Sequence, residues 1–284
     1  MITDLSYVSV AVNNIDTAIK DFNRIYGLHE VTPISYSRPF GWLRVILGNG
    51  PEAFLELLQP VDEKLPLARF VQKNGEGVYL YSFVVDDLAA TVRHLRARKV
   101  QFSSWPEGAR PERINSVWVH PRATTGVYVE LSEHLMENTF SGFGAGAQSK
   151  EVLLQGLSYV AAVVQDVEAA ARLYQDLLGL EITGPRSTEP TLNFERVVLG
   201  AGNRGLLELM QPNDPNSAMG KYLAKHGQGP YMSCFLTDDV ERAVAEINQR
   251  GGQATRDQQY GAWLHPRSNH GLFAQLSQRY LERG

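Results

Sequence analysis

Two strand-like runs each carry one carboxylate among apolar residues: FLELLQP with Glu56 and YVELS with Glu130. An ionised carboxylate is costly to bury unless it is paired, hydrogen-bonded or protonated. Burial and a second carboxylate nearby both raise its pKa. A glutamate raised in this way can act as a general base near neutral pH. Glu56 recurs as Glu208 in LLELMQP, and an arginine recurs with it, Arg44 in RVILG and Arg196 in RVVLG. That recurrence keeps a second account open, in which the arginines simply neutralise Glu56 and Glu208 in structural ion pairs. Glu130 is replaced in its repeat by Gln275, in AQLS, which makes it the foremost candidate base.

The recurrence runs through the chain. LSYV occurs at Leu5–Val8 and Leu157–Val160, and Tyr7/Tyr159, Arg44/Arg196, Glu56/Glu208 and Asp86/Asp238 all stand 152 apart. Later matches, Trp118/Trp263 and the tripeptides starting at His120 and His265, stand 145 apart, so the second copy lacks seven residues near GARPERINS. In-register matches of this number mean internal duplication. Between the copies, MENTFSGFGAGAQSKE is small, Gly-rich and aperiodic and reads as a connector. The expected domains are therefore 1–135 and 152–284, with 136–151 as the linker.

Each half divides again. YVSVAV reads as a strand. NIDTAIKDFNRIYG follows with Ile15, Ala18, Ile19, Phe22 and Ile25 at helical spacing, Asn14 or Asp16 near the cap and Gly27 as the stop. HEVTPIS, WLRVILG and AFLELLQ read as strands. YLYSFVV, the helix DLAATVRHLRARK, and the strands VQFSS, SVWVH and GVYVELS repeat the order. The fold class is α+β, four βαβββ modules, which must pair to cover their sheets.

Composition excludes several classes. The 284 residues are 43% hydrophobic and 20% charged with net charge −4, ordinary for a globular protein and poor for nucleic acid or an anionic membrane. The opening MITDLSYVSVAV, with no basic region, Asp4 within it and Asn13 directly after, is not expected to act as a signal peptide, and no stretch approaches about 20 apolar residues. The single cysteine, Cys234, suits a reducing compartment. A cytoplasmic protein is expected, with a small-molecule partner and a homodimer left open.

The strand-helix-Gly opening, LGNG before an E-L strand, V-D-D opening a helix and HP…G…E-L at the end resemble the vicinal oxygen chelate superfamily, which includes glyoxalases, methylmalonyl-CoA epimerases, extradiol dioxygenases and bleomycin-resistance proteins. The resemblance covers nearly the whole chain outside the linker and implies two cup-shaped eight-stranded mixed sheets, each made from two modules. It also implies a divalent metal held by histidines and carboxylates. Carried over by motif, those positions hold Tyr7, Glu56, Leu80 and Glu130 in the first cup, and Tyr159, Glu208, Met232 and Gln275 in the second. Leu has no lone pair and Met is a soft ligand, so no metal and no other cofactor is expected. The epimerases' second catalytic glutamate falls at Ser37 in the first half and Glu189 in the second.

Period-two alternation then lists the inward residues. The first cup has Tyr7, Ser9, Trp42, Arg44, Glu56, Leu80, Ser82, Tyr128 and Glu130. The second has Tyr159, Ala161, Phe194, Arg196, Glu208, Met232, Cys234, Phe273 and Gln275. Two functions of different class follow. One is a metal-independent isomerase, lyase or cyclase acting on a small oxygenated, partly aromatic substrate, with Glu130 or Glu56 as base and Tyr7 donating a hydrogen bond to a developing enolate. The other is sequestration of a hydrophobic or aromatic small molecule. His120 and His265 are expected to order the turns that follow them, and His226 and His270 to be solvated.

Overall fold

The structure, a computed structural model, describes residues 1–134, 149 and 151–281, so the connector lies outside the described residues except for Ser149 and Glu151. The first half runs β1 (Ile2–Ala11), α1 (Ile15–Tyr26), β2 (His29–Glu30), β3 (Ser35–Ser37), β4 (Trp42–Asn49), β5 (Glu52–Pro60), α2 (Pro66–Asn74), β6 (Gly77–Val85), α3 (Leu88–Ala97), β7 (Phe102–Trp105), β8 (Ser116–Val119) and β9 (Tyr128–Ser132). The second runs β10 (Gly156–Val163), α4 (Val167–Leu178), β11 (Glu181–Glu189), β12 (Phe194–Ala201), β13 (Arg204–Pro212), α5 (Ala218–His226), β14 (Gly229–Leu236), α6 (Val240–Gln249), β15 (Ala254–Asp257), β16 (Gly261–Leu264) and β17 (Ala274–Ser277).

Local chemistry sets the helix ends. Asn14, Asp87, Asp166 and Asp239 each accept a hydrogen bond from a first-turn amide of α1, α3, α4 and α6, while Gly27 and Gly179 close α1 and α4 in the left-handed conformation. Helices α2 and α5 are absent from the sequence expectation. Each buries only two residues, Leu67 and Ala68 or Met219 and Gly220, too short an apolar stripe to show as helical period. Helix α5 nonetheless walls the second cup through Ala218 and Met219, and α2 packs Leu67 and Phe70 against the aromatic cluster of the first.

The fold is α+β with two mixed sheets. The strand order is β2-β4-β5-β1-β6-β9-β8-β7 in one and β11-β12-β13-β10-β14-β17-β16-β15 in the other. The first sheet counts nine strands, because HEVTPIS splits into β2 and β3, with Pro33 between them unable to donate to the ladder. Each module closes with a parallel pair, β1 with β5 and β6 with β9, and the modules meet at antiparallel β1 and β6; the second half repeats this. The missing residues of the second copy come from the connection 258–260, which replaces the longer 106–115 with its 3-10 turn.

One core joins the halves. The faces of the two sheets opposite the cups, together with the helices, bury Val10, Leu57, Phe83 and Val160 with Phe235, and the Phe54 and Phe235 rings lie 5.8 Å apart. Val152–Leu154, just after the connector, are buried in this core, and the Leu153 amide donates to Tyr26 O at 2.8 Å. The HPR turns clasp the opposite half. Gly126, at φ 85, lies so close to β14 that a Cβ would sit 1.8 Å from Gln228 O; Gly271, at φ 76, would be 1.9 Å from Glu76 O. Only glycine meets both demands without strain. His270 is not solvated as expected: it lies 3.0 Å from Glu76 and 3.2 Å from Asp21 of the first half, a partner across the core that its loop sequence does not show.

Candidate functional site: two unequal cups

Strand register brings the inward residues into rows. In the first cup Tyr7, Ser82, Glu130 and Trp118 stand side by side across β1, β6, β9 and β8. The adjoining row is Tyr128, Leu80, Ser9, Glu56 and Ile46. Tyr7, Trp42, Arg44, Glu56, Leu80 and Glu130 line a cavity of about 440 Å³. Ser9 and Ser82, both 0% exposed, lie beneath its floor, and Tyr128 turns to pack edge-on against Tyr79 at 5.3 Å, so these three residues do not reach the cavity.

The two carboxylates differ. Glu56 is held twice, by the Ser9 hydroxyl and by Arg44 Nη2 at 2.7 Å from Oε1. Glu130 is fully buried, and desolvation with the nearby Glu56 charge pushes it up to about 7, although the Tyr7 hydrogen bond, the Arg44 charge and Trp118 pull the other way. Burial first, then Glu130 and Glu56, hold the Tyr7 phenol well above its ordinary range, so it remains a donor, and it donates to Glu130. The Tyr7 hydroxyl, the expected donor to a substrate oxygen, has the Glu130 carboxylate as its acceptor in this structure. Burial would lower Arg44, but Glu56, Tyr7 and Glu130 more than offset this and keep it charged. Phe40, in a turn whose sequence has no period to reveal it, stacks on Trp42 at 4.7 Å and meets Trp118 edge-on at 4.7 Å, narrowing the cup. Tyr36 and Trp105 stand at the mouth, 53% and 44% exposed.

The second cup repeats the rows with Tyr159, Cys234, Gln275 and Trp263, and with Met232, Ala161 and Glu208. Tyr159, Phe194, Arg196, Glu208, Met232, Phe273 and Gln275 all line a cavity of about 970 Å³, with Trp263 stacked on Phe273 at 5.6 Å. Arg196 Nε lies 2.8 Å from Glu208. Burial, with a smaller contribution from the Glu189 charge, holds Glu208 above the ordinary carboxylate range even though Arg196 pulls the other way. Gln275 takes the Tyr159 hydroxyl at 2.6 Å and gives its amide to Tyr260 O at 2.6 Å, so neither end is left for chemistry. Leu192 stands where Phe40 stands in the first half and is 46% exposed, leaving this cup open. Glu189 is buried; hydrogen bonds from Tyr260, the Leu192 and Thr191 amides and Gln259 outweigh that burial and hold it below the ordinary range. Its counterpart Ser37 lines the first cup. Burial pushes the Cys234 thiol up, which suits a small filler. His120 accepts the Arg122 amide at 3.2 Å and so orders its own turn.

The model for the Glyoxalase/Bleomycin resistance protein/Dioxygenase superfamily matches residues 7–116 and 159–265, once in each half. The chain belongs to this superfamily. The mitochondrial methylmalonyl-CoA epimerase of Mus musculus is 28% identical over 132 residues, 45% of this chain and 72% of the epimerase. The ethylmalonyl-CoA/methylmalonyl-CoA epimerase of Cereibacter sphaeroides is 28% identical over 137 residues, 47% of this chain and 99% of that one. A variant of 4-hydroxymandelate synthase from Streptomyces coelicolor superposes with TM-score 0.72 at 16% identity, covering 100% of this chain and 94% of its own, a likeness of fold.

A Mn(II)-bound glyoxalase from Novosphingobium aromaticivorans superposes with TM-score 0.66 at 11% identity, covering 99% of this chain and 84% of its own, again a likeness of fold. The residues of either cup do not fit such an ion. The first offers two carboxylates and a phenol that keeps its proton, with a guanidinium already on Glu56; Leu80 has no donor atom. The second offers one carboxylate, also paired with arginine, beside an amide and a thioether, a set that mixes hard and soft ligands. Among the described residues no group of three His, Cys, Asp or Glu side chains converges on a point that could hold a metal ion.

Proposed function

We propose that this superfamily member is a metal-independent enzyme of the isomerase, lyase or cyclase type, moving a proton on a small oxygenated, partly aromatic or hydrophobic substrate in the first cup. The observation that carries this reading is Glu130: a buried carboxylate with its pKa at about 7, lining a cavity and oriented by Tyr7. At that pKa it is present as a base and is still basic enough to accept a proton. Glu56, engaged by Ser9 and Arg44, serves as a positioning residue. The cavity of about 440 Å³ limits the reacting portion to a small molecule, and the Trp42, Phe40 and Trp118 rings favour a flat one. Relatives named as epimerases of CoA thioesters support proton transfer next to a carbonyl. A small-molecule partner and a cytoplasmic setting agree with the charge and composition, and among the described residues no helix is long and apolar enough to cross a membrane.

The test is deuterium incorporation from D2O, followed by NMR, at the carbon next to the carbonyl in a panel of aryl and alkyl ketones, β-keto acids and acyl thioesters. Wild type exchanges at least one of them, and Glu130→Gln retains binding but loses exchange. Exchange that survives in Glu130→Gln would place the base elsewhere.

A second reading has its own support. The larger cavity and Glu130 lie in different cups, and the second cup combines about 970 Å³ with aromatic and methionine walls and, in the place of Glu130, an amide engaged at both ends. That arrangement favours sequestration of an aromatic molecule there. Binding to both wild type and Glu130→Gln with no exchange in either supports sequestration alone.

A further inference from the structure

The first cup contains a base, but the group that would receive a substrate's negative charge is unassigned. Loss of a proton from carbon beside a carbonyl leaves an oxyanion, and stabilising that oxygen is the larger part of the catalytic problem. Tyr7 cannot serve, because its single O–H is given to Glu130. No main-chain amide of the cavity lies at a helix N-terminus: α1, α2 and α3 begin at Ile15, Pro66 and Leu88, outside the lining.

We propose that Arg44 is the catalytic electrophile, its guanidinium receiving the substrate's carbonyl oxygen while Glu130 takes the proton. This rests on the proton-transfer reading of the first cup and names its second reacting group. Three observations carry it. Arg44 and Glu130 line the same cavity from different strands, β4 and β9, on either side of the floor formed by Leu80. Among the described residues Arg44 is ion-paired with Glu56 alone, through Nη2, so cation and base face one void without being joined. Because the two groups are not paired with each other, the void they both line is open to a planar C–C=O unit. Finally, Glu56 is itself fixed by Ser9 and only 4% exposed, whereas the Arg44 side chain is 29% exposed, so the pair is anchored at the carboxylate end and open at the guanidinium end.

The step balances. The C–H bond breaks and an O–H bond forms on Glu130; the C–H electron pair becomes the enolate C=C bond and the carbonyl π pair moves to oxygen, beside Arg44. The negative charge passes from Glu130 to the substrate oxygen, so the cup's net charge is constant and the guanidinium exchanges one anionic neighbour for a closer one. Returning the proton to the same or another carbon regenerates Glu130 and Arg44 with no oxidation or reduction. Arg44 thus polarises the carbonyl with a charge that cannot be lost by deprotonation.

The experiment uses 4-nitrophenol as an oxyanion probe, its phenolate absorbing in the visible where the neutral phenol does not. The protein is the full chain carrying Glu130→Gln, which mimics the base after it has taken the proton, and the paired change Arg196→Met with Glu208→Gln, which removes the other cup's guanidinium without orphaning its buried carboxylate. At a pH where the free probe is mostly neutral, the bound probe is expected to be ionised by a factor of about ten or more over free probe, one pH unit being a factor of ten. Adding the paired change Arg44→Met and Glu56→Gln, which leaves no orphaned buried charge, is expected to abolish that ionisation while thermal unfolding stays cooperative; Arg44→Lys is expected to keep part of it. A probe that does not bind the Arg44-containing protein, binds it as neutral phenol, or stays ionised after the paired change overturns the proposal. The two ideas fail separately: deuterium exchange persisting in Glu130→Gln sinks the base and not Arg44, whereas loss of exchange there with an Arg44-independent phenolate signal sinks Arg44 and not the base.

Discussion

Glu130→Gln is also a stability experiment that needs no substrate. The carboxyl titrates near 7 in the folded protein against 4.5 for an ordinary glutamate, because burial and Glu56 disfavour its charge. A raised folded pKa means the native state binds the proton more tightly than the unfolded chain does between those two values. Stability from this group is therefore fully present below the unfolded pKa and is lost as pH rises through the folded one. At 1.36 kcal/mol for each unit the loss comes to about 3 kcal/mol between about pH 4 and about pH 9. Glutamine keeps the shape and an oxygen for the Tyr7 hydroxyl, as Gln275 does for Tyr159 at 2.6 Å, but has no charge to bury. Urea unfolding of wild type and variant at several pH values is the assay, taken as the difference between the two proteins so that titrations common to both cancel. The variant is expected to gain up to about 3 kcal/mol on wild type as pH rises, offset by about 1 kcal/mol for a weaker Tyr7 bond. Parallel curves for the two proteins would refute the reasoning, since they would mean that Glu130 is solvated or permanently paired.

Three further outcomes are expected. Tyr7→Phe removes a hydrogen bond that lowers the Glu130 pKa, so the pH at which deuterium exchange reaches half its maximum moves up from about 7, with a cost of about 1 kcal/mol in stability. Gly126→Ala drives a Cβ to 1.8 Å from Gln228 O at a φ of 85, and thermal unfolding should show a loss of about 1 to 3 kcal/mol with the base and cation untouched. Elemental analysis of the purified protein should find no stoichiometric iron, zinc, manganese or cobalt, and chelator should leave the unfolding midpoint in place; a bound ion at one per chain contradicts the donor chemistry of both cups.

The fold was legible because duplication prints it four times. A strand, a capped helix and three strands recur with Asn14, Asp87, Asp166 and Asp239 at the helix starts, and each cap signal sits where the structure uses it. The inward rows were legible for a related reason: period two is rigid, so fixing Glu56 in the cup fixes Ser9 and Leu80 beside it. What the sequence left out are contacts made by residues without periodicity. Helices α2 and α5 show too narrow an apolar stripe, Phe40 closes the first cup from a turn, and His270 finds Asp21 and Glu76 across the core. Side-chain direction was equally hidden. Alternation puts Tyr128 on the cup face, yet its ring packs on Tyr79, and it identifies Tyr7 as a donor without saying that Glu130 receives the proton.

The differences between the two cups are correlated, and the correlation argues for divided labour. Both keep the arginine–glutamate pair and the tyrosine, which by themselves place a charge-compensated pair and a neutral phenol at the floor of each sheet. The first adds a titratable partner for the tyrosine and a ring that narrows the cavity to about 440 Å³; the second replaces these with Gln275 and Leu192 and opens to about 970 Å³. A buried base weakens the folded state wherever it is charged, so it persists where its charge is used; an amide in the same place satisfies the same phenol without that cost. If the second cup carried out the same chemistry, the base would be needed twice. Its replacement, together with the larger cavity, agrees with the proposed catalysis in the narrow cup and the proposed binding in the wide one. Exchange kinetics that respond to substitutions in the first cup, beside ligand titrations that respond to those in the second, would separate the two.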